Sequence, residues 1–144
     1  MLELRLSELA QSLGVDCESG DAVVTGLAID SRVVKPGDLF VAIDGEHVDG
    51  HDFIDKALGN GAAAIACTRS INIAAPHIEA ADSHQVCAIY GQLIRDRFHG
   101  SVIGITGSAG KTTAKSFLES ICGRAGTTVA TLGNQNNELG VPLT

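Results

Sequence analysis

Val102-Ile103-Gly104-Ile105-Thr106-Gly107-Ser108-Ala109-Gly110-Lys111-Thr112-Thr113 is the stretch on which the reading of this chain turns. Val102 to Thr106 is a short, apolar, β-branched run, which predicts a buried parallel strand. The chain then turns through Gly107 and Gly110 into helical spacing. Strand, glycine turn, Lys-Thr and helix form the layout of a phosphate-binding loop. Glycines let the backbone approach phosphate oxygens, and the amides of a new helix point at the anion. Lys111 would reach the outer phosphates, and the Thr112 hydroxyl would ligate Mg²⁺. The common spacing is G-x-x-x-x-G-K-[ST]. Here Ile105 stands where the first glycine belongs, and the match is the shorter G-x-x-G-K-T of Gly107 to Thr112. A bare Gly-Lys-Thr would read as a structural turn with a surface lysine. The strand before it and the helix after it favour nucleotide phosphate.

Outward from this loop, bulk properties set the frame. The 144 residues suit one ordinary domain or two small ones. A hydrophobic content of 44% with 19% charged residues is that of a globular chain. With four Phe, one Tyr and no Trp, the core must be built from Ala, Val, Ile and Leu. The net charge of −7 argues against a general nucleic-acid or anionic-membrane surface. Cys17, Cys67, Cys87 and Cys122 are scattered without a C-x-x-C pair, which disfavours zinc. Cys67, Cys87 and Cys122 lie in apolar runs and read as small core residues. The start lacks a basic, apolar secretory pattern, and no run of about 18 apolar residues exists, so a cytoplasmic location is expected.

Before the loop, the pattern is that of a small α/β unit over residues 1–80. Ser7 is expected to cap a helix that ends at Gly14. Val23, Thr25, Leu27 and Ile29 alternate as a half-buried strand, with Asp30-Ser31-Arg32 at its end. After a Lys35-Pro36-Gly37-Asp38 turn, Leu39 to Ile43 is the next strand. Asp52 is expected to cap a helix through Leu58, and Ala62 to Cys67 is another buried strand. His47 and His51 have no triad partner or metal spacing, and surface or helix-start roles are expected of them. Ile71 to Ala81 reads as an irregular connector.

Residues 81–144 read as the beginning of a second unit. Asp82 and Gln85 suggest a capping box for a helix to about Phe98. The phosphate loop follows, then a helix with Phe117, Leu118, Ile121 and Cys122 inward, then a strand over Thr127 to Thr131. Strand, loop, helix and strand make one right-handed β-loop-α-β unit. A parallel sheet needs more than two strands to bury both faces, so this unit reads as unfinished. Gly133-Asn134-Gln135-Asn136-Asn137-Glu138-Leu139-Gly140-Val141-Pro142 closes the chain. Amides at the carboxyl end of a parallel strand can read a ligand, although Asn and Gly also favour turns.

Together these residues resemble the Mur ligases, the ATP-dependent amide ligases of peptidoglycan synthesis. Four ordered stretches carry the resemblance, and they cover nearly the whole chain. Asp30-Ser31-Arg32 with Lys35 to Ala42 resembles the uridine-binding segment of the family's N-terminal domain. Asp49-Gly50-His51-Asp52-Phe53 resembles its second signature. Ile105 to Thr113 resembles the family's ATP loop, which shares the short glycine spacing. Gly133 to Pro142 resembles a run typical of the member that adds D-alanyl-D-alanine.

The resemblance implies a reaction. ATP phosphorylates the terminal carboxylate of UDP-N-acetylmuramoyl-tripeptide, and the D-alanyl-D-alanine amine attacks the acyl phosphate. Phosphorylation turns a poor leaving oxygen into a good one, so the protein's part is positioning and charge neutralisation. By the resemblance, Gly107, Ser108, Ala109, Gly110, Lys111, Thr112 and Thr113 hold ATP, with Lys111 as the catalytic cation and Thr112 on Mg²⁺. Ser31 and Arg32 contact the uridine diphosphate end, and Asn134, Asn136 and Asn137 line the peptide-sugar side. A monomer without nucleic-acid partners is implied. Only the family's first domain and the opening of its central one are matched. Residues 1–144 are therefore expected not to turn over alone, with a non-catalytic binding remnant or another amide ligase of the superfamily as alternatives.

Overall fold

The computed structural model describes residues 2–45 and 48–131. His47 and the run containing Asn134, Asn136 and Asn137 lie outside the described residues. A five-stranded sheet dominates, in the order β2-β7-β6-β5-β4. These strands are Cys17–Glu18, His77–Glu79, Ala64–Cys67, Asp38–Val41 and Gly26–Ala28, respectively. β4 to β7 are mutually parallel, and β2 runs antiparallel along the β7 edge. A separate antiparallel pair joins β1 (Leu4–Arg5) to β3 (Val23–Val24). Helices α1 (Leu6–Leu13) and α3 (Ser83–Arg97) cover one face of the large sheet, and α2 (Ile54–Gly59) covers the other.

Strand alternation explains the two layers of core. On β5, Leu39 and Val41 pack with α1 and α3, whereas Phe40 packs towards α2 with Ile54 and Ala57. On β6, Ala64 and Ala66 join the first cluster and Ile65 joins the second. Both strands are buried on both faces, as the apolar runs Leu39 to Val41 and Ala64 to Cys67 require of central parallel strands. The register sets Phe40 beside Ile65 and Ala66 beside Ile78.

Several local expectations are corrected. The alternating run from Val23 divides between two sheets, β3 pairing with β1 and β4 with β5. Ser7 does not cap α1 with its own side chain. The Asp21 carboxylate accepts the Ser7 N–H at 3.0 Å and the Ser7 hydroxyl at 3.0 Å, bringing an anion to the helix start. Gly14 ends α1 in the left-handed conformation, as expected. Asp49, not Asp52, caps the next helical segment, a 3-10 turn over Gly50–Phe53 leading into α2. The connector at 71–81 contains a strand, β7, which takes an interior place between β2 and β6. Asp82 caps α3 by accepting the His84 N–H at 2.9 Å.

Helix α3 buries Val86, Cys87 and Tyr90 in the core under the first sheet. Its last turn is tied to α1 where Arg97 donates to Glu8, and to the start of the chain where Arg97 donates to the Glu3 carbonyl. The chain then reaches α4 (Lys111–Ala125), which has no buried residue. Phe117 and Ile121, expected inward, are 66% and 65% exposed. Residues 102–106 and 127–131 form no strand among the described residues. A buried strand needs a neighbour for its backbone groups, and an amphipathic helix needs a sheet beneath it. No described strand supplies either.

Candidate functional site

Two groups of residues stand out. The first lies where β4, β5 and β6 release the chain at their carboxyl ends, the edge at which open parallel sheets bind ligands. After β4, Arg32 folds back onto Asp30, its Nε and Nη2 donating to the carboxylate, the shortest at 2.6 Å. That pairing holds the Asp30 carboxyl down at about 2. The Arg32 side chain remains 76% exposed. Ser31 is buried, and its carbonyl accepts the Asn60 side-chain amide at 2.8 Å. Asn60, at the end of α2, thereby pins the Asp30-Ser31-Arg32 turn. Of the two residues expected to meet the uridine diphosphate end, Arg32 presents its side chain and Ser31 presents little surface.

After β5 comes the Asp49-Gly50-His51 signature. Gly50 donates its N–H to the Ile43 carbonyl at 2.8 Å. A Cβ there would stand 2.6 Å from the Ile43 nitrogen and 2.7 Å from its oxygen, so only glycine fits against the strand end. His51 is buried with both ring nitrogens engaged. Its Nδ1 meets Asp49 Oδ1 at 2.7 Å, and its Nε2 accepts the Thr68 N–H at 3.1 Å. The second bond fixes the ring proton on Nδ1, facing Asp49. Asp49 also accepts the His51 N–H at 2.9 Å and pairs through Oδ2 with Arg69 at 2.6 Å. The two His51 bonds, with help from Arg69, hold the Asp49 carboxyl down at about 2.

The sequence reading expected a structural role for His51 at a helix start, and its bonds fit that role. Asn60, Thr68 and Arg69 were not singled out. Arg69 could have been found from its place just beyond a buried strand, the position at which functional side chains of parallel sheets gather.

The second group is the glycine loop. Gly107 and Gly110 have φ of 151° and 76°, and Gly110 hands directly to α4. The latter angle is one that L side chains rarely adopt. The first intrahelical bond runs from the Ala114 N–H to the Gly110 carbonyl at 2.9 Å. The helix start is thus formed at Lys111, and the amide dipoles of its first turn are directed back over Gly107 to Gly110. Lys111 Nζ donates to the Gly107 carbonyl, folding its charge over the loop. Thr112 and Thr113 line a shallow groove with Ser116, Phe117 and Ser120. Backbone amides, one lysine and threonine hydroxyls are a donor set that fits a polyphosphate with a hard cation.

Cys17, Cys67, Cys87 and Cys122 are free thiols. Burial pushes Cys67 and Cys87 up to about 11, which makes them inert core residues. Cys122 is only half-buried, on α4. Among the described residues, no cluster of His, Cys, Asp and Glu could hold a metal. No described helix is long and apolar enough to cross a membrane.

Comparison with known proteins bears on both groups. Residues 23–108 match the profile of the Mur ligase family, catalytic domain, and residues 105–144 match that of the Mur ligase middle domain. The chain is 35% identical, over its whole length, to the UDP-N-acetylmuramoyl-tripeptide–D-alanyl-D-alanine ligase of Escherichia coli, of which it covers 32%. It is 36% identical over 95% of its length to the UDP-N-acetylmuramoyl-L-alanyl-D-glutamate–2,6-diaminopimelate ligase of Listeria innocua, covering 29% of that enzyme. A solved Acinetobacter baumannii D-alanyl-D-alanyl ligase superposes with a TM-score of 0.80 at 31% identity, over 99% of this chain and 33% of that one. The MurF ligase of Thermotoga maritima, solved in complex with ADP, gives 0.67 at 38% identity, over 83% of this chain and 28% of that one. The chain thus spans about a third of the length of these relatives. Two family profiles in tandem, meeting at the glycine loop, and a fold shared along the whole chain establish that this protein belongs to the Mur ligase family.

Proposed function

We propose that this chain supplies the UDP-substrate unit and the ATP loop of a ligase that joins D-alanyl-D-alanine to UDP-N-acetylmuramoyl-tripeptide. The observation that carries the reading is the turn from Gly107 through a left-handed Gly110 into α4, with Lys111 folded over it. In this reading, Gly107 to Thr113 hold ATP, Lys111 neutralises charge on the transferred phosphoryl group, and Thr112 contributes its hydroxyl to Mg²⁺. A metal ion held there would supply charge neutralisation for the phosphates. The substrate carboxylate becomes an acyl phosphate, and attack by the dipeptide amine releases phosphate. Arg32 meets the uridine diphosphate end at the carboxyl edge of the first sheet, and Asn134, Asn136 and Asn137 line the peptide side. The protein works in the cytoplasm as a monomer.

In this reading, residues 1–144 contribute substrate and ATP binding. We place the division between the units, expected at residue 80, after Phe98, a reading supported by the packing of α3 on the first core. A second reading, addition of diaminopimelate to the dipeptide precursor, draws on the 36% identity to the Listeria enzyme. The test is a ligation assay with ATP and each acceptor–amine pair. Product from the tripeptide and D-alanyl-D-alanine supports the first reading, and product from the dipeptide and diaminopimelate alone replaces it. Amide formation by residues 1–144 by themselves would overturn the division of labour.

A further inference from the structure

We propose that Arg69 is a phosphate-contacting side chain of the carboxyl-edge site, beside Arg32, and that Asp49 and His51 are positioning residues that aim it. This rests on the reading of that edge as the seat of the uridine diphosphate end. The supporting observation is a closed circuit. Thr68 donates its N–H to His51 Nε2 at 3.1 Å, and His51 Nδ1 meets Asp49 Oδ1 at 2.7 Å. Asp49 Oδ2 holds Arg69 Nη2 at 2.6 Å, and Arg69 is covalently next to Thr68. Tying the β5 loop to the end of β6 needs only the His51–Thr68 bond. The further step from Asp49 to Arg69 joins the same two segments a second time, and it also fixes the direction of one guanidinium that stays half exposed.

That guanidinium is suited to an anion. The Arg69 side chain is 52% exposed, while the His51 side chain that anchors the circuit is 3% exposed. Arginine carries five N–H donors in a rigid fork, and the ion pair with Asp49 is made through Nη2. Arg32 is more heavily committed, with Nε and Nη2 both turned onto Asp30. Arg69 therefore has more of its fork to offer a diphosphate, which arginine meets in paired, parallel hydrogen bonds. Because Asp49 keeps the side chain in one orientation before the ligand arrives, less freedom is lost on binding.

The test titrates the purified chain with UDP and, separately, with uridine, following amide resonances by NMR. Arg69→Ala should weaken UDP roughly tenfold or more, the scale of a lost charge-assisted hydrogen bond, and leave uridine unchanged. Asp49→Asn removes a negative charge yet should weaken UDP, because the aim of Arg69 is lost. Equal UDP binding by wild type and Arg69→Ala overturns the proposal, as does an equal loss of UDP and uridine, which would mark a structural role. UDP binding by Asp49→Asn at or above wild type overturns the positioning role. Failure of wild type to bind either ligand would refute the reading of the edge itself, and this inference with it.

Discussion

Gly50 offers the sharpest test of how the carboxyl edge is built. Its φ is not left-handed, so alanine would meet no intrinsic backbone penalty there. The obstacle is space. A Cβ would stand 2.6 Å from the Ile43 nitrogen, 2.7 Å from the Ile43 oxygen and 3.1 Å from the Ala42 carbonyl carbon. All three are backbone atoms just beyond β5, and none can swing away as a side-chain tip can. Gly50→Ala must push the loop outward and stretch the 2.8 Å bond from its N–H to Ile43. Overpacking costs about 1–3 kcal/mol and a lost hydrogen bond about 1, so the loss should be about 2–4 kcal/mol. For a unit of roughly a hundred residues this lowers Tm by roughly 10–25 °C. Gly59→Ala is the matched control: in α2, with nothing within 4 Å of its Cβ, it should hold or raise Tm. Thermal unfolding followed by circular dichroism compares the two. A Gly50→Ala midpoint within about 4 °C of wild type, about 1 kcal/mol or less, would refute the steric argument.

Phe40, fully buried between β4, β6 and α2, should cost about 3–5 kcal/mol when truncated to alanine, read as a fall in the denaturation midpoint. Asp49 bears on acid stability. Its folded value of about 2 lies below the ordinary carboxylate value near 4, so its contribution is present above pH 4 and is lost as pH falls towards 2. Asp49→Asn should flatten the stability profile in that window, and an unchanged slope would show that the carboxylate is not held by His51 and Arg69. Lys111→Ala should abolish ATP-dependent ligation by the complete enzyme while leaving the Tm of the first unit unchanged, because α4 buries nothing. Retained turnover would remove the phosphate-loop assignment.

Much of the first unit was legible because its central strands announce themselves. The apolar runs that begin at Leu39 and Ala62 mark β5 and β6, and Gly14 and Asp82 carry end signals whose chemistry is local. β7 was hidden because its three residues include His77 and Glu79 and follow Pro76, so pattern gave no strand signal and only pairing with β2 and β6 makes one. The caps were misread at Ser7 and Asp52 because the working carboxylates, Asp21 and Asp49, are set by tertiary approach or by a 3-10 turn. In the candidate site, the glycine loop is singled out by its motif and Arg32 by the family resemblance. Arg69 is not, since the role proposed for it rests on a circuit closed through Asp49 and His51, which no linear spacing displays. Residues 102–106 carry a strand pattern that only a neighbouring strand could realise.

The anchoring of α3 has a consequence for which insertions this chain can accept. Val86, Cys87 and Tyr90 are seated in the core, and Arg97 is tied to α1. One extra residue between them would turn the helix end by about 100° and advance it by about 1.5 Å. Either the core contacts or the Arg97 tie would break, and the glycine loop would be launched in a new direction. The same residue added between His99 and Ser101, where the chain is irregular, would be absorbed. Length variation among homologous chains should therefore collect after Phe98 and be absent from the fifteen residues of α3.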